Sequence, residues 1–155
     1  MDQKVILIAD DEPHYLEWLD DFLMSGGYKV EFYENVNKAY DALSLRLYRA
    51  VIVDLNIPVT GSLRDVIDKK GATYSQYPGL FLADFARNRG HRTRQVIVYS
   101  VHEVEAVADE CRKLYCASIP KGRPSIFRKQ IMDVLSYDPT KDPKGPEADQ
   151  NDAIS

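Results

Sequence analysis

The chain has 155 residues, 45% hydrophobic and 28% charged, which suits one soluble globular domain rather than two. Acids outnumber bases by 24 to 20, which argues against nucleic acid and other polyanions as general partners. The longest apolar run, Val5 to Ala9, is too short to span a membrane, the acidic start Met1-Asp2-Gln3 lacks a signal-peptide flank, and Cys111 and Cys116 make no disulfide framework, so a cytoplasmic location is expected.

Short apolar runs alternate with amphipathic stretches, and no internal repeat is present. Val5 to Ala9 is continuous and β-branched, the mark of a strand covered on both faces of a parallel sheet. Pro13 then suits a first helical position, with Leu16, Leu19, Phe22 and Leu23 on one face and Gly26-Gly27 as the stop. Tyr28 to Tyr33 alternates more, as a strand nearer an edge would. Asn37 is the predicted N-cap of a helix carrying Tyr40, Leu43 and Leu47. Ala50 to Asp54 is the third strand.

The rhythm breaks between Pro58 and Gly79. Ser62-Leu63-Arg64-Asp65 reads as a capping box that opens a short helix to Lys70, closed by Gly71, so the inserted loop 62–78 should hold one small helix. Beyond it come a helix over Gly79 to Arg89 with Leu82, Phe85 and Ala86, and a fourth strand, Val96 to Tyr99. A helix lined by Val104, Val107, Ala108, Cys111 and Leu114 follows, then a short strand, Cys116 to Ile119. Pro124 opens the last helix, with Phe127, Ile131, Val134 and Leu135. Five strands alternating with five main helices predict an α/β fold, a doubly wound five-stranded parallel sheet with helices on both faces. Residues 138–155 carry Pro139, Pro143 and Pro146 among acids and few apolar groups; they are expected to form a disordered acidic tail to a domain at 1–137.

In such sheets, sites form beyond the carboxyl ends of the strands. The first strand ends in Asp10-Asp11-Glu12, the third in Asp54, the fourth in Ser100 and the fifth in Pro120-Lys121. Asp54 follows Val51-Ile52-Val53 directly, so its charge starts at the rim of the apolar core and needs an offset. A cation supplies one, and Asp10 and Asp11 add the oxygens Mg²⁺ prefers. Acids plus Mg²⁺ suit phosphoryl chemistry, with Lys121 and the Ser100 hydroxyl as further partners of the phosphoryl oxygens and Asp54 as the acceptor.

The set Ile6-Leu7-Ile8-Ala9-Asp10-Asp11-Glu12-Pro13, Val53-Asp54-Leu55-Asn56-Ile57-Pro58, Val98-Tyr99-Ser100 and Pro120-Lys121 resembles the receiver domain of two-component response regulators, over roughly residues 4–136. The resemblance implies a flavodoxin-like strand order 2-1-3-4-5. It implies Asp54 as phospho-acceptor, with Asp10, Asp11, Asp54 and the backbone carbonyl of Asn56 around Mg²⁺. Ser100 would be the switch hydroxyl, and Lys121 the lysine that contacts the phosphoryl group. It further implies a phosphorelay signalling domain that catalyses its own phosphorylation and dephosphorylation. Its partners would be a sensor histidine kinase or phosphotransfer protein and an unknown downstream protein, with no nucleic acid or membrane. Departures exist: the family's aromatic switch position falls on Ser118, with Tyr115 further upstream, Gly122 stands where a proline is usual, and the loop 62–78 is extra. The alternative is a receiver-like adaptor acting without phosphorylation. A Mg²⁺-dependent phosphohydrolase is a third reading, weakened because Asn56 stands where such enzymes want an acid.

Blander roles compete at several positions. Asp11 could cap the first helix, and Ser100 with Glu103 could form a capping box. Arg87, Arg89, Arg92 and Arg94 suit a helix C-terminus better than nucleic acid. Cys111 and Cys116 are expected as small buried hydrophobes. His14 and His102 border the proposed site, and Trp18 falls off its helix's main stripe.

Overall fold

The strands carry long apolar side chains on both faces, and the architecture follows from burying both. The computed structural model describes residues 2–12, 16–91, 95–100, 104–120 and 124–138. Its elements run β1 (Asp2–Ala9), α1 (Glu17–Ser25), β2 (Lys29–Tyr33), α2 (Val36–Leu45), β3 (Tyr48–Asp54), α3 (Ser62–Asp68), α4 (Ala72–Gln76), α5 (Gly79–Arg89), β4 (Val96–Ser100), α6 (Glu105–Leu114), β5 (Ala117–Pro120) and α7 (Pro124–Leu135). The sheet has the order β2-β1-β3-β4-β5, and every pairing is parallel. The expected order is therefore the observed one.

Strand alternation sorts the core into two layers. Val5, Leu7, Val51, Val53, Val96 and Val98 face α2, α5 and α6. Ile6, Ile8, Ala50, Ile52, Ile97 and Tyr99 face α1 and α7, where Leu19, Leu23, Phe127 and Ile131 meet them. Ile6, Ile8 and Ile52 are fully buried, each contributing about 2 kcal/mol of apolar transfer.

Local expectations fared unevenly. The cap of α2 is Asn35, whose side chain accepts from the Lys38 amide at 2.8 Å. Asn37 sits inside the helix and instead braces the inserted segment: its Nδ2 donates to Thr60 O and its Oδ1 accepts from the Thr60 amide, both at 3.0 Å. That segment holds two helices, α3 and α4, where the sequence predicts one. The residue capping α3 is Gly61, without the predicted side-chain cap.

The insertion is packed, not draped. Ile67 is fully buried, and Tyr74 and Tyr77 are nearly so. The Tyr74 hydroxyl donates to Glu110 Oε2 on α6 at 3.0 Å, and Lys70 pairs with Asp84 on α5 at 3.0 Å. Its anchors thus lie on α2, α5 and α6.

The two described arginines of the basic group cap neighbouring helices. Arg87 Nε donates to Leu114 O at the end of α6, and Arg89 to Leu43 O and Ser44 O at the end of α2. Arg92 and Arg94 lie outside the described residues, as do Pro13, His14, His102, Gly122 and the tail from Pro139 onward. Cys111 and Cys116 are buried and unbridged, as expected. Trp18 is half-buried, with its ring edge-on to Phe127 at 6.0 Å. Among the described residues, no helix is long and apolar enough to cross a membrane.

Candidate functional site

Strand order reverses at β1, which has β2 on one side and β3 on the other, so the crevice opens beyond the carboxyl ends of β1 and β3. Alternation then decides which side chains enter it. On β1 the series Ile6, Ile8 continues to Asp10; on β3 Ala50, Ile52 continues to Asp54; on β4 Ile97 continues to Tyr99. All three rim residues therefore project on the α1/α7 side.

Asp10 and Asp54 are each only 2% exposed, and Asp11 is exposed. Carboxylate oxygens of the three lie within 4.8 Å of one another. The sequence-predicted acids are thus brought together. Asp10 Oδ1 accepts from the Glu12 amide at 2.8 Å, and Asp54 Oδ1 from the Asn56 amide at 3.1 Å. Each buried carboxylate is therefore held by the backbone amide two residues on, an Asx-type turn that fixes its direction. The backbone beneath is tied as well: the Asp10 amide donates to Tyr33 O at 3.0 Å and the Leu55 amide to Tyr99 O at 3.4 Å.

Two residues were missed in the sequence. The first is Tyr99, whose cross-strand neighbour is Asp54 and whose hydroxyl donates to Asp10 Oδ2. Burial, then the charge of Asp10 and its hydrogen bond, push the Tyr99 phenol far above its ordinary range, so it stays a donor. The alternation Ile97, Tyr99 was the signal that could have found it. The second is Gly79, which opens α5 against the end of β3. A Cβ there would lie 2.2 Å from Asp54 O and 2.7 Å from Leu55 Cα, so only glycine allows this approach.

The donor set fits a hard divalent cation. Three carboxylates, two of them buried, crowd like charges into a low-dielectric rim, and oxygen-only coordination is what Mg²⁺ accepts. Asn56, two residues after Asp54, is exposed. Ser100 ends β4 opposite Pro120, but its side chain lies outside the described residues, as does Lys121 entirely.

No protein-family model matches this chain, and no curated protein sequence does. Solved structures do. A CheY-like response regulator receiver domain protein from Methanospirillum hungatei superposes with a TM-score of 0.66 at 18% identity, covering 86% of this chain and 94% of that one. The non-phosphorylated HemR receiver domain from Leptospira biflexa gives 0.66 at 18% identity, covering 87% and 96%. Response regulator TrrA from Thermotoga maritima, solved with Mg²⁺ and BeF, gives 0.61 at 19% identity, covering 84% and 98%. The fold of this chain is that of the CheY-like response regulator receivers, and in this chain two short helices, α3 and α4, lie between β3 and α5.

Proposed function

We propose that the chain is a phospho-accepting receiver of a two-component phosphorelay. The observation that carries this is the meeting of Asp10, Asp11 and Asp54 at the carboxyl edge, with Asp54 ending the central strand. Asp54 takes the phosphoryl group: a carboxylate oxygen attacks phosphorus, the phosphorus–nitrogen bond of a phosphohistidine breaks, and the imidazole leaves with the electron pair and is protonated. Hydrolysis reverses the loading. Water attacks phosphorus in line, the bond to the Asp54 oxygen breaks, and inorganic phosphate departs.

Asp10, Asp11, Asp54 and the carbonyl of Asn56 hold Mg²⁺, which when bound neutralises charge on the transferring group. Ser100 and Lys121 supply the hydroxyl and ammonium that meet the phosphoryl oxygens. The burial of Asp54 keeps bulk water from its carboxylate. Phosphorylation then shifts the population between two states of the domain, and the readout is an altered protein contact. The giver is a sensor histidine kinase or phosphotransfer protein, and the receiver of the signal is another protein in the cytoplasm.

The test is intact mass after incubation with acetyl phosphate and Mg²⁺, beside an Asp54→Ala variant and an EDTA control. One added phosphoryl group, lost in both controls, supports the proposal. No addition from acetyl phosphate or from a phosphorylated kinase, together with no Mg²⁺ binding, overturns it in favour of an adaptor that works without phosphorylation.

A further inference from the structure

We infer that Tyr99 is a positioning residue of the cation site, acting through Asp10. This rests on the reading of Asp10, Asp11 and Asp54 as a divalent-cation site and adds a residue to it.

Asp10 has two oxygens, and each is claimed from a different side: Oδ1 by the Glu12 amide of its own loop, Oδ2 by the Tyr99 hydroxyl from within the core. Two donors on opposite oxygens fix the rotation of the carboxylate plane. A carboxylate has about four lone-pair directions, so each oxygen keeps one for a cation. One oxygen of Asp10 lies within 4.8 Å of one oxygen each of Asp11 and Asp54.

Tyr99 is well placed to hold that plane. It lies on β4, whereas Asp10 follows β1, and β3 runs between them. The phenol therefore crosses beneath β3 on the α1/α7 side, a span of two strand spacings (about 9.6 Å) shared with the reach of Asp10. Its ring is 2% exposed and meets Phe127 edge-on, with centroids 5.3 Å apart. Phe127 is itself buried and braced by Trp18. The hydroxyl is thus aimed by packing rather than by a flexible stem. Groups that orient a ligand without touching the ion set metal affinity about tenfold or more, because they hold the ligand in its binding direction before the ion arrives.

The experiment compares Mg²⁺ binding by the full chain, by calorimetry, for wild type, Tyr99→Phe and Tyr48→Phe. Tyr99→Phe keeps the ring and removes only the hydroxyl. Tyr48→Phe removes the hydroxyl of a similarly buried tyrosine, one that donates to Glu31 at 2.8 Å, away from the cation site. The expected result is a dissociation constant about tenfold weaker in Tyr99→Phe. Tyr48→Phe should bind as wild type does. Thermal melts in EDTA establish that both variants are folded. Should Tyr99→Phe not fold, Phe127→Leu, which keeps the hydroxyl but loosens the ring, should weaken Mg²⁺ in the same direction.

Binding by Tyr99→Phe within twofold of wild type, or tighter, overturns the inference while leaving the site intact. Equal weakening in Tyr48→Phe also overturns it, since the effect would then be general. Failure of wild type itself to bind Mg²⁺ overturns the site reading first, and this inference with it.

Discussion

The Gly79 amide donates to the Leu55 carbonyl at 3.1 Å, so the chain returns, after its two inserted helices, to the point where it left β3. The excursion is closed at its root. That closure explains how an insertion can sit beside Asp54 without changing the order of the sheet. Its outer parts are fastened separately, by Asn37 to Thr60, Lys70 to Asp84 and Tyr74 to Glu110.

The root depends on a missing side chain. Gly79→Ala would place a methyl group against Asp54 O and Leu55 Cα, which are backbone and cannot swing away. The expected cost is about 3 kcal/mol in urea unfolding, typical of overpacking at a rigid contact. Gly26→Ala is the control: its Cβ would come no nearer than 3.4 Å to any neighbour, and the cost should stay below about 1 kcal/mol. Equal stability of wild type and Gly79→Ala would mean that α5 can back away from β3.

His91 makes the fold sensitive to acid. It is buried, its Nε2 accepts from the Tyr48 amide at 2.9 Å, and its Nδ1 faces Ala86 O at 2.9 Å, so the neutral ring joins the start of β3 to the end of α5. Burial first, then the charges of Arg87 and Arg89, pull it down to about 4 from an ordinary 6.5. Between those values the unfolded chain binds the extra proton, so stability is full above pH 6.5 and falls as pH drops toward 4. The loss from this group is about 3 kcal/mol. His91→Gln should flatten that part of the pH profile of unfolding; an unchanged slope would assign the acid sensitivity elsewhere.

Arg49 does for α7 what Arg87 and Arg89 do for α6 and α2. It is buried near the start of β3, donates to Val134 O at 2.7 Å and to Tyr137 O, and lies over the Tyr137 ring. Two charged donors on carbonyls at the end of a helix are worth about 3 kcal/mol together. Arg49→Ala should lose roughly that amount in unfolding and should speed amide exchange in the last turn of α7. Loss of stability without local change in α7 would contradict this assignment.

Much of the architecture was readable because the strands are dictated by composition. Val51-Ile52-Val53 and Val96-Ile97-Val98 leave no polar face, and only a sheet covered on both sides buries them. The acid triad was readable because Asp10 and Asp54 directly follow such runs and Asp11 is the next residue after Asp10. What escaped depends on contacts distant in sequence. Asn37 is as good an N-cap as Asn35 by residue type; its bond to Thr60 decides between them. Helix α4 has five residues, too few for a periodic pattern, and is held by Tyr74 and Glu110 rather than by its own propensity. Tyr99 looked like one more strand aromatic, because the carboxylate it serves lies two strands away.

The most direct test of the central claim locates the phosphoryl group. Borohydride reduces an aspartyl phosphate to homoserine, which peptide mapping by mass spectrometry assigns to a residue. After loading with acetyl phosphate in Mg²⁺, homoserine is expected at position 54, and it should be absent when EDTA replaces the metal. Homoserine at position 10 or 11, or a phosphoryl group that survives reduction on a hydroxyl, would contradict the account.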